Sequence, residues 1–160
     1  MLCIRRAVRS DVPQILRFIR GLAEYERLAG ACVASEESLA ETLFGARAYA
    51  EVLIADWNAE PAGFALFFHS YSTFLARPGI FLEDLFVEPD RRGNGIGKGL
   101  LAELARIAVE RGCGRLEWSV LDWNETAIGF YKALGAVPME EWTGFRLTGP
   151  ALERVASLRR

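Results

Sequence analysis

The chain is predicted to fold as an α/β protein, a mixed sheet flanked by helices, and three observations in its 160 residues predict it. Apolar runs of strand character recur at 50–56, 62–71 and 80–88, each bounded by turn residues. Stripes at helical spacing lie before and after them. Between the third run and the next helix stand four glycines on alternate positions, Gly93, Gly95, Gly97 and Gly99, within EPDRRGNGIGKGLLAEL.

Each element has a local reason. Ser10-Asp11 before Pro13 reads as a capped helix start, and Ile15, Leu16, Ile19, Leu22 and Ala23 continue it to about Arg27. Ser35 with Glu36 and Glu37 opens a second short helix ending near Gly45. AEVLIAD and AGFALFFHSY, joined by a turn at Asn58 to Pro61, form a hairpin, and IFLEDLFVE follows Pro78-Gly79. After the glycine loop, Leu100, Leu101, Leu104, Ile107 and Ala108 make one helical stripe closed by Gly112. RLEWSV alternates as a strand, Asn124 caps a helix closed by Gly135, a last strand is expected near Trp142 to Leu147, and Pro150 begins a terminal helix. The expected order is two helices, an antiparallel meander, then a strand–helix–strand–helix–strand half, all in one domain spanning 1–160.

Composition narrows the functional classes. A net charge of −2 offers no basic face for nucleic acid, and no run approaches the roughly 18 apolar residues of a membrane helix. Arginines occupy the start of MLCIRRAVRSD where a signal peptide would need apolar residues. Cys3, Cys32 and Cys113 are odd in number and far apart, so they read as reduced thiols of a cytoplasmic protein, and no metal set is present. His69, the only histidine, reads as a packed or surface residue.

A glycine loop at a helix N-terminus suits a diphosphate, because the helix offers unpaired N–H groups and the positive end of its dipole. Two familiar phosphate loops fail here. A Walker loop would need Gly at position 92 and Ser or Thr after Lys98, and a dinucleotide fingerprint would need Gly at 98 or 100. Arg92-Gly93-Asn94-Gly95-Ile96-Gly97 instead resembles the acetyl-CoA pyrophosphate loop of the GCN5-related N-acetyltransferases, and WNETAIGFYKALGA resembles that family's last motif. ILRFIRGLAEYERL, YSTF, FLEDLFVEPDRRGNGIGKGLL and VLDWNETAIGFYKALGA are similar to its spermidine/spermine and thialysine branch, over about residues 4 to 147.

The resemblance implies that family's acyl-CoA N-acyltransferase fold and a function. An acetyl group would pass from acetyl-CoA to a primary amine of a small molecule, in a homodimer, without a metal. Backbone groups of Leu85, Phe86 and Val87 would meet the acetyl and pantetheine portion. Arg92, Gly93, Asn94, Gly95, Ile96, Gly97 and Lys98 would hold the diphosphate. Glu117, Trp118, Ser119 and Val120 would flank the cofactor arm, with Asn124 and Tyr131 near its sulfur. Tyr25, Glu26 and Glu83, with Thr143, Gly144 and Phe145, would border the amine. Ser72, Phe74 and the Thr143-Gly144-Phe145 stretch stand where polyamine enzymes carry further acids and tryptophans, which disfavours spermine.

The chemistry needs a base, since at a lysine-like pKa only roughly one amine in two thousand is neutral at pH 7. Adjacent Glu83 and Asp84 cannot both face one cleft unless the strand bulges. The resemblance selects Glu83 as base, with Asp84 the second candidate and otherwise a structural acid, and Tyr131 as the acid that protonates the departing thiolate. A module that binds acyl-CoA without turnover is the alternative.

Overall fold

The structure, a computed structural model, describes residues 1–158. Strands β1 (Leu2–Arg6), β2 (Glu51–Trp57), β3 (Glu60–Ser72), β4 (Arg77–Val87) and β5 (Leu116–Trp118) lie in that order in one sheet. The helices are α1 (Val12–Tyr25), α2 (Glu36–Phe44), α3 (Ile96–Glu110), α4 (Glu125–Ala133) and α5 (Gly149–Ala156). The first four strands pair antiparallel, and α3 carries the chain across to β5, which pairs parallel with β4. Contacts divide the chain into a first unit, Met1–Leu121, and a second that begins at Asp122.

In the first unit the sheet has an apolar layer on each face. Ile15, Leu16 and Phe18 of α1 pack with Val52, Ile54, Phe64 and Phe86, and the Phe18 and Phe64 rings stack at 5.4 Å. Leu100, Leu101, Leu104, Ile107 and Ala108 of α3 are buried, as their stripe predicts. Burying aliphatic and aromatic side chains of this size stabilises by about 1.5–3 kcal/mol each, which outweighs the modest propensities of the separate elements.

β1 was not anticipated. Its five residues include two adjacent arginines, which hide the alternation that identifies a strand. Leu2 and Ile4 meet α3 at Gly99, while Arg5 donates to Asp56 and Asp11 at 2.8 Å. The Asp11 carboxylate also accepts the Val8 N–H at 2.8 Å. It is therefore occupied, and the side-chain cap expected from Ser10-Asp11 on α1 is not made. Pro13 does sit in the first turn. The Arg5 guanidinium holds the Asp11 carboxyl below its usual range.

The caps at Ser35 and Asn124 form as predicted: Ser35 accepts the Ser38 N–H at 3.1 Å, and Asn124 accepts that of Ala127 at 3.2 Å. In the second unit α4 is closed by Gly135, two residues past its end, with φ of +91°. The strand expected near Trp142 to Leu147 is not formed. These residues run irregularly into α5, and Trp142 and Phe145 are exposed. Alternation alone does not make a strand, because a strand must pair its backbone, and this segment has no ladder partner among the described residues. RLEWSV is likewise paired only from Leu116 to Trp118.

Candidate active site

Three features of the first unit meet at the C-terminal end of β4. The first is an open strand edge. β4 pairs with β5 only through Ile80–Leu116, Phe81–Glu117 and Leu82–Trp118, whereas its other edge pairs with β3 as far as Val87. From Glu83 to Val87 the edge that faces β5 therefore has no ladder. Leu85, Phe86 and Val87, the residues expected to meet the acyl portion, lie on this stretch, where alternate backbone N–H and C=O groups are left to bond a ligand. Glu117 and Trp118 lie on the facing strand and Ser119 and Val120 just beyond it, with Glu117 paired to Arg115 at 3.2 Å.

The second feature is the loop. Gly93 and Gly95 have φ of +81° and +76°, in the left-handed region, and nothing lies within 4 Å of where a Cβ would stand on either. The space above them is open. Gly95 ends the loop as the residue before α3, and the first bond of that helix runs from the Gly99 N–H to the Gly95 carbonyl at 2.9 Å. The preceding N–H groups, those of Ile96, Gly97 and Lys98, belong to the first turn and point out of the helix end. Asn94 has a structural share in this: its Nδ2 donates to the Arg91 carbonyl at 2.9 Å and so closes the turn. Ile96 is buried and anchors the helix start, while Lys98 is exposed. Gly99 serves packing instead, since a Cβ there would stand 2.7 Å from Leu2 Cδ2.

An open cradle of left-handed glycines over a helix N-terminus fits a diphosphate in charge and in room. Arg92 leads into it. Its Nε donates to the Val87 carbonyl at 3.0 Å, and its guanidinium lies over the Tyr25 ring at 4.8 Å and the Phe86 ring at 5.8 Å.

The third feature is acidic and turns on a bulge. Leu82 pairs with Phe67 and Asp84 with Leu66, so Glu83 is an extra residue with no partner on β3. Asp84 thus shares a face with Phe86 and α1, while Leu82 turns to the face of Phe67. Glu83 is exposed, Asp84 is half-buried, and Glu26 follows the last residue of α1. Two of the three are shifted by burial and by neighbouring charge. Burial, then the charges of Glu83 and Glu26, push Asp84 up from 3.8 to about 6. Burial, then the charge of Glu83, raises Glu26. The strand therefore does bulge where both acids needed it to. Asp84 was the second candidate for the base in the sequence reading, and its only signal there was adjacency to Glu83.

The remaining expected site residues lie in the second unit. Asn124 caps α4, Tyr131 is half-buried on α4 with its ring 5.5 Å from that of Phe130, and Thr143, Gly144 and Phe145 are exposed in the irregular stretch. His69 is tied into structure, with Nδ1 at 3.0 Å from the Gly79 carbonyl and Nε2 at 2.9 Å from Arg111. Arg111 also grips Glu51 with two nitrogens, at 2.6 and 2.8 Å. Among the described residues no group of three or more His, Cys, Asp or Glu could hold a metal ion.

The comparisons with known proteins agree with this geometry. Residues 19–136 match the Acetyltransferase (GNAT) family. The chain is 40% identical over 164 residues to the thialysine N-epsilon-acetyltransferase of Bos taurus, with 96% of each chain covered. It is 35% identical over 200 residues to the L-ornithine N5-acetyltransferase of Arabidopsis thaliana, covering 97% of this chain and 88% of that one. Among solved structures, an integron cassette protein from the mobile metagenome of V. cholerae superposes with a TM-score of 0.82 at 30% identity, covering 97% of both chains. With a strand, an open cradle and a helix in the order this family's motif requires, the chain belongs to the GNAT acetyltransferases.

Proposed function

We propose that this protein transfers the acetyl group of acetyl-CoA to a primary amine of a small diamine or amino acid, the class that includes thialysine and ornithine. The observation that carries the proposal is the acidic cluster of Glu26, Glu83 and Asp84 beside an open strand edge and an anion cradle. A cation and a polyanion are thus provided for a few residues apart on the same strand and loop.

When bound, acetyl-CoA supplies an activated acyl carbon. The residues of this chain do the rest. The first-turn N–H groups of α3, with Arg92, hold the diphosphate, and backbone groups of Leu85 to Val87 align the acyl arm and offer an N–H to its carbonyl oxygen. Glu26, Glu83 and Asp84 bind the ammonium group. Glu83, exposed at the bulge, takes the proton that makes the amine a nucleophile, and Asp84 behind it shares that proton. Tyr131, a phenol able to donate at neutral pH, returns a proton to the thiolate. In this reading Glu117 to Val120 flank the arm, and Asn124 is assigned with Tyr131 to its sulfur end. The family match from residue 19 to 136 spans both units, which supports treating 1–160 as one catalytic domain.

The amine is small in this reading. Ser72, where a polyamine enzyme would carry an acid, is buried and its Oγ accepts the Leu75 N–H at 3.2 Å, while Phe74 is fully exposed at the hairpin tip. Neither supplies a charge for a distant ammonium group. We place the protein in a reducing, cytoplasmic setting, supported by three free cysteines. A homodimer is supported by the large apolar side chains, Trp142 and Phe145 among them, exposed on the second unit.

Thiol release from acetyl-CoA, measured against thialysine, lysine, ornithine, putrescine, spermidine and spermine, tests the assignment. Turnover with thialysine or ornithine well above that with spermine is expected. Tight coenzyme A binding with no release for any amine would establish the non-catalytic module instead.

A further inference from the structure

The Arg92 side chain is held by a carbonyl on one side and by aromatic rings on the other. Its Nε bonds the Val87 carbonyl at 3.0 Å, and the flat faces of Tyr25 and Phe86 lie 4.8 and 5.8 Å from its central carbon. Arg91, next to it, is treated differently: it pairs with Glu60 at 2.7 Å and with Asp90 at 3.6 Å. One arginine is neutralised by carboxylates. The other is fixed by rings and a carbonyl, contacts that orient a guanidinium without cancelling its charge.

A guanidinium has five N–H donors, and anchoring through Nε leaves the four on its two Nη atoms. An arginine left to itself would sample many rotamers and lose that freedom on meeting a ligand. Phe86 is buried, whereas Tyr25 is about two-fifths exposed at the end of α1. Tyr25 therefore forms the outer jaw of this clamp.

We propose that Tyr25 is a positioning residue for the acyl donor: it holds the Arg92 guanidinium ready to bond the diphosphate, acting through Arg92 and not through the amine. The inference rests on the reading of 92–98 as the diphosphate loop. It also gives the end of α1 two duties, since Tyr25 serves the anion and Glu26, one residue on, belongs to the carboxylate cluster.

Isothermal titration with coenzyme A and with pantetheine, which lacks the diphosphate, tests this on the whole chain without any turnover. Tyr25→Leu is expected to weaken coenzyme A about fivefold, the scale of a partly exposed cation–π contact, with a much smaller change for pantetheine. Tyr25→Phe, which keeps the ring, should bind both like the parent. In Arg92→Ala the Tyr25→Leu change should add nothing further. Equal weakening of both ligands, or full additivity with Arg92→Ala, overturns the proposal. If Arg92→Ala weakens coenzyme A and Tyr25→Leu does not, the proposal alone falls. If Arg92→Ala binds coenzyme A like the parent, the loop reading falls as well.

Discussion

The start of α3 and the bulge of β4 stand a few residues apart in the chain and are built in opposite ways. The first exposes donors: backbone N–H groups over two left-handed glycines, with an uncancelled arginine beside them. The second collects acceptors: three carboxylates, with burial and neighbouring acids raising Glu26 and Asp84 and no arginine or lysine among the causes of those shifts. The donor site is made almost wholly of main chain and is set by local backbone conformation. The acceptor site is made of side chains brought in by α1 and by a pairing irregularity. A site of the first kind is written in consecutive residues, and a site of the second kind in the partners those residues find.

The largest blow to the acceptor side is Glu83→Gln. It should lower kcat/KM for the amine by about a hundredfold or more, most severely at low pH where few amines are neutral. A pH–rate profile checks it, and an undiminished rate would move the base role to Asp84.

Asp84→Asn comes next. A carboxyl that titrates near 6 when folded and near 3.8 when free favours the folded state fully below about pH 4, and that contribution is lost as pH rises through 6. Two units correspond to about 2–3 kcal/mol. The Asn variant should therefore be more stable than the parent at pH 8 by that order and lose its advantage near pH 4. Urea unfolding at the two pH values measures the difference. Equal stability at both would mean that the cluster does not raise Asp84.

The donor side is tested by contrasting two of its glycines. Gly95→Ala places a Cβ at φ +76° and should cost about 1–2 kcal/mol of stability, with weakened coenzyme A binding. Gly99→Ala meets only the flexible ends of Leu2 and Ile4, and the gain in helix propensity offsets those contacts. Its stability should change by under about 0.5 kcal/mol, with coenzyme A affinity close to the parent's. Should the two variants bind coenzyme A alike, the open cradle would not be the site.

Much of this was readable from letters because it is local. Ser35, Asn124 and the apolar stripes of α1 and α3 announce helices through contacts within one or two turns. The alternating glycines announce a main-chain site because two of them, Gly93 and Gly95, adopt φ values that only glycine adopts without strain. β1 was not readable, because its identity depends on β2 lying beside it. Nor was the irregular course of Trp142 to Leu147, whose alternation has no strand to pair with among the described residues.

The sequence by itself determined the capped starts of α2 and α4, the glycine cradle and the order of elements around it, since bond rotation and near-neighbour capping act on residues close along the chain. The tertiary structure alone decided that Glu83 bulges from β4, that Asp84 sits half-buried with Glu26 and that Tyr25 lies on Arg92. Each of these depends on register and packing between segments that are remote in sequence, and no local preference of the residues involved encodes that.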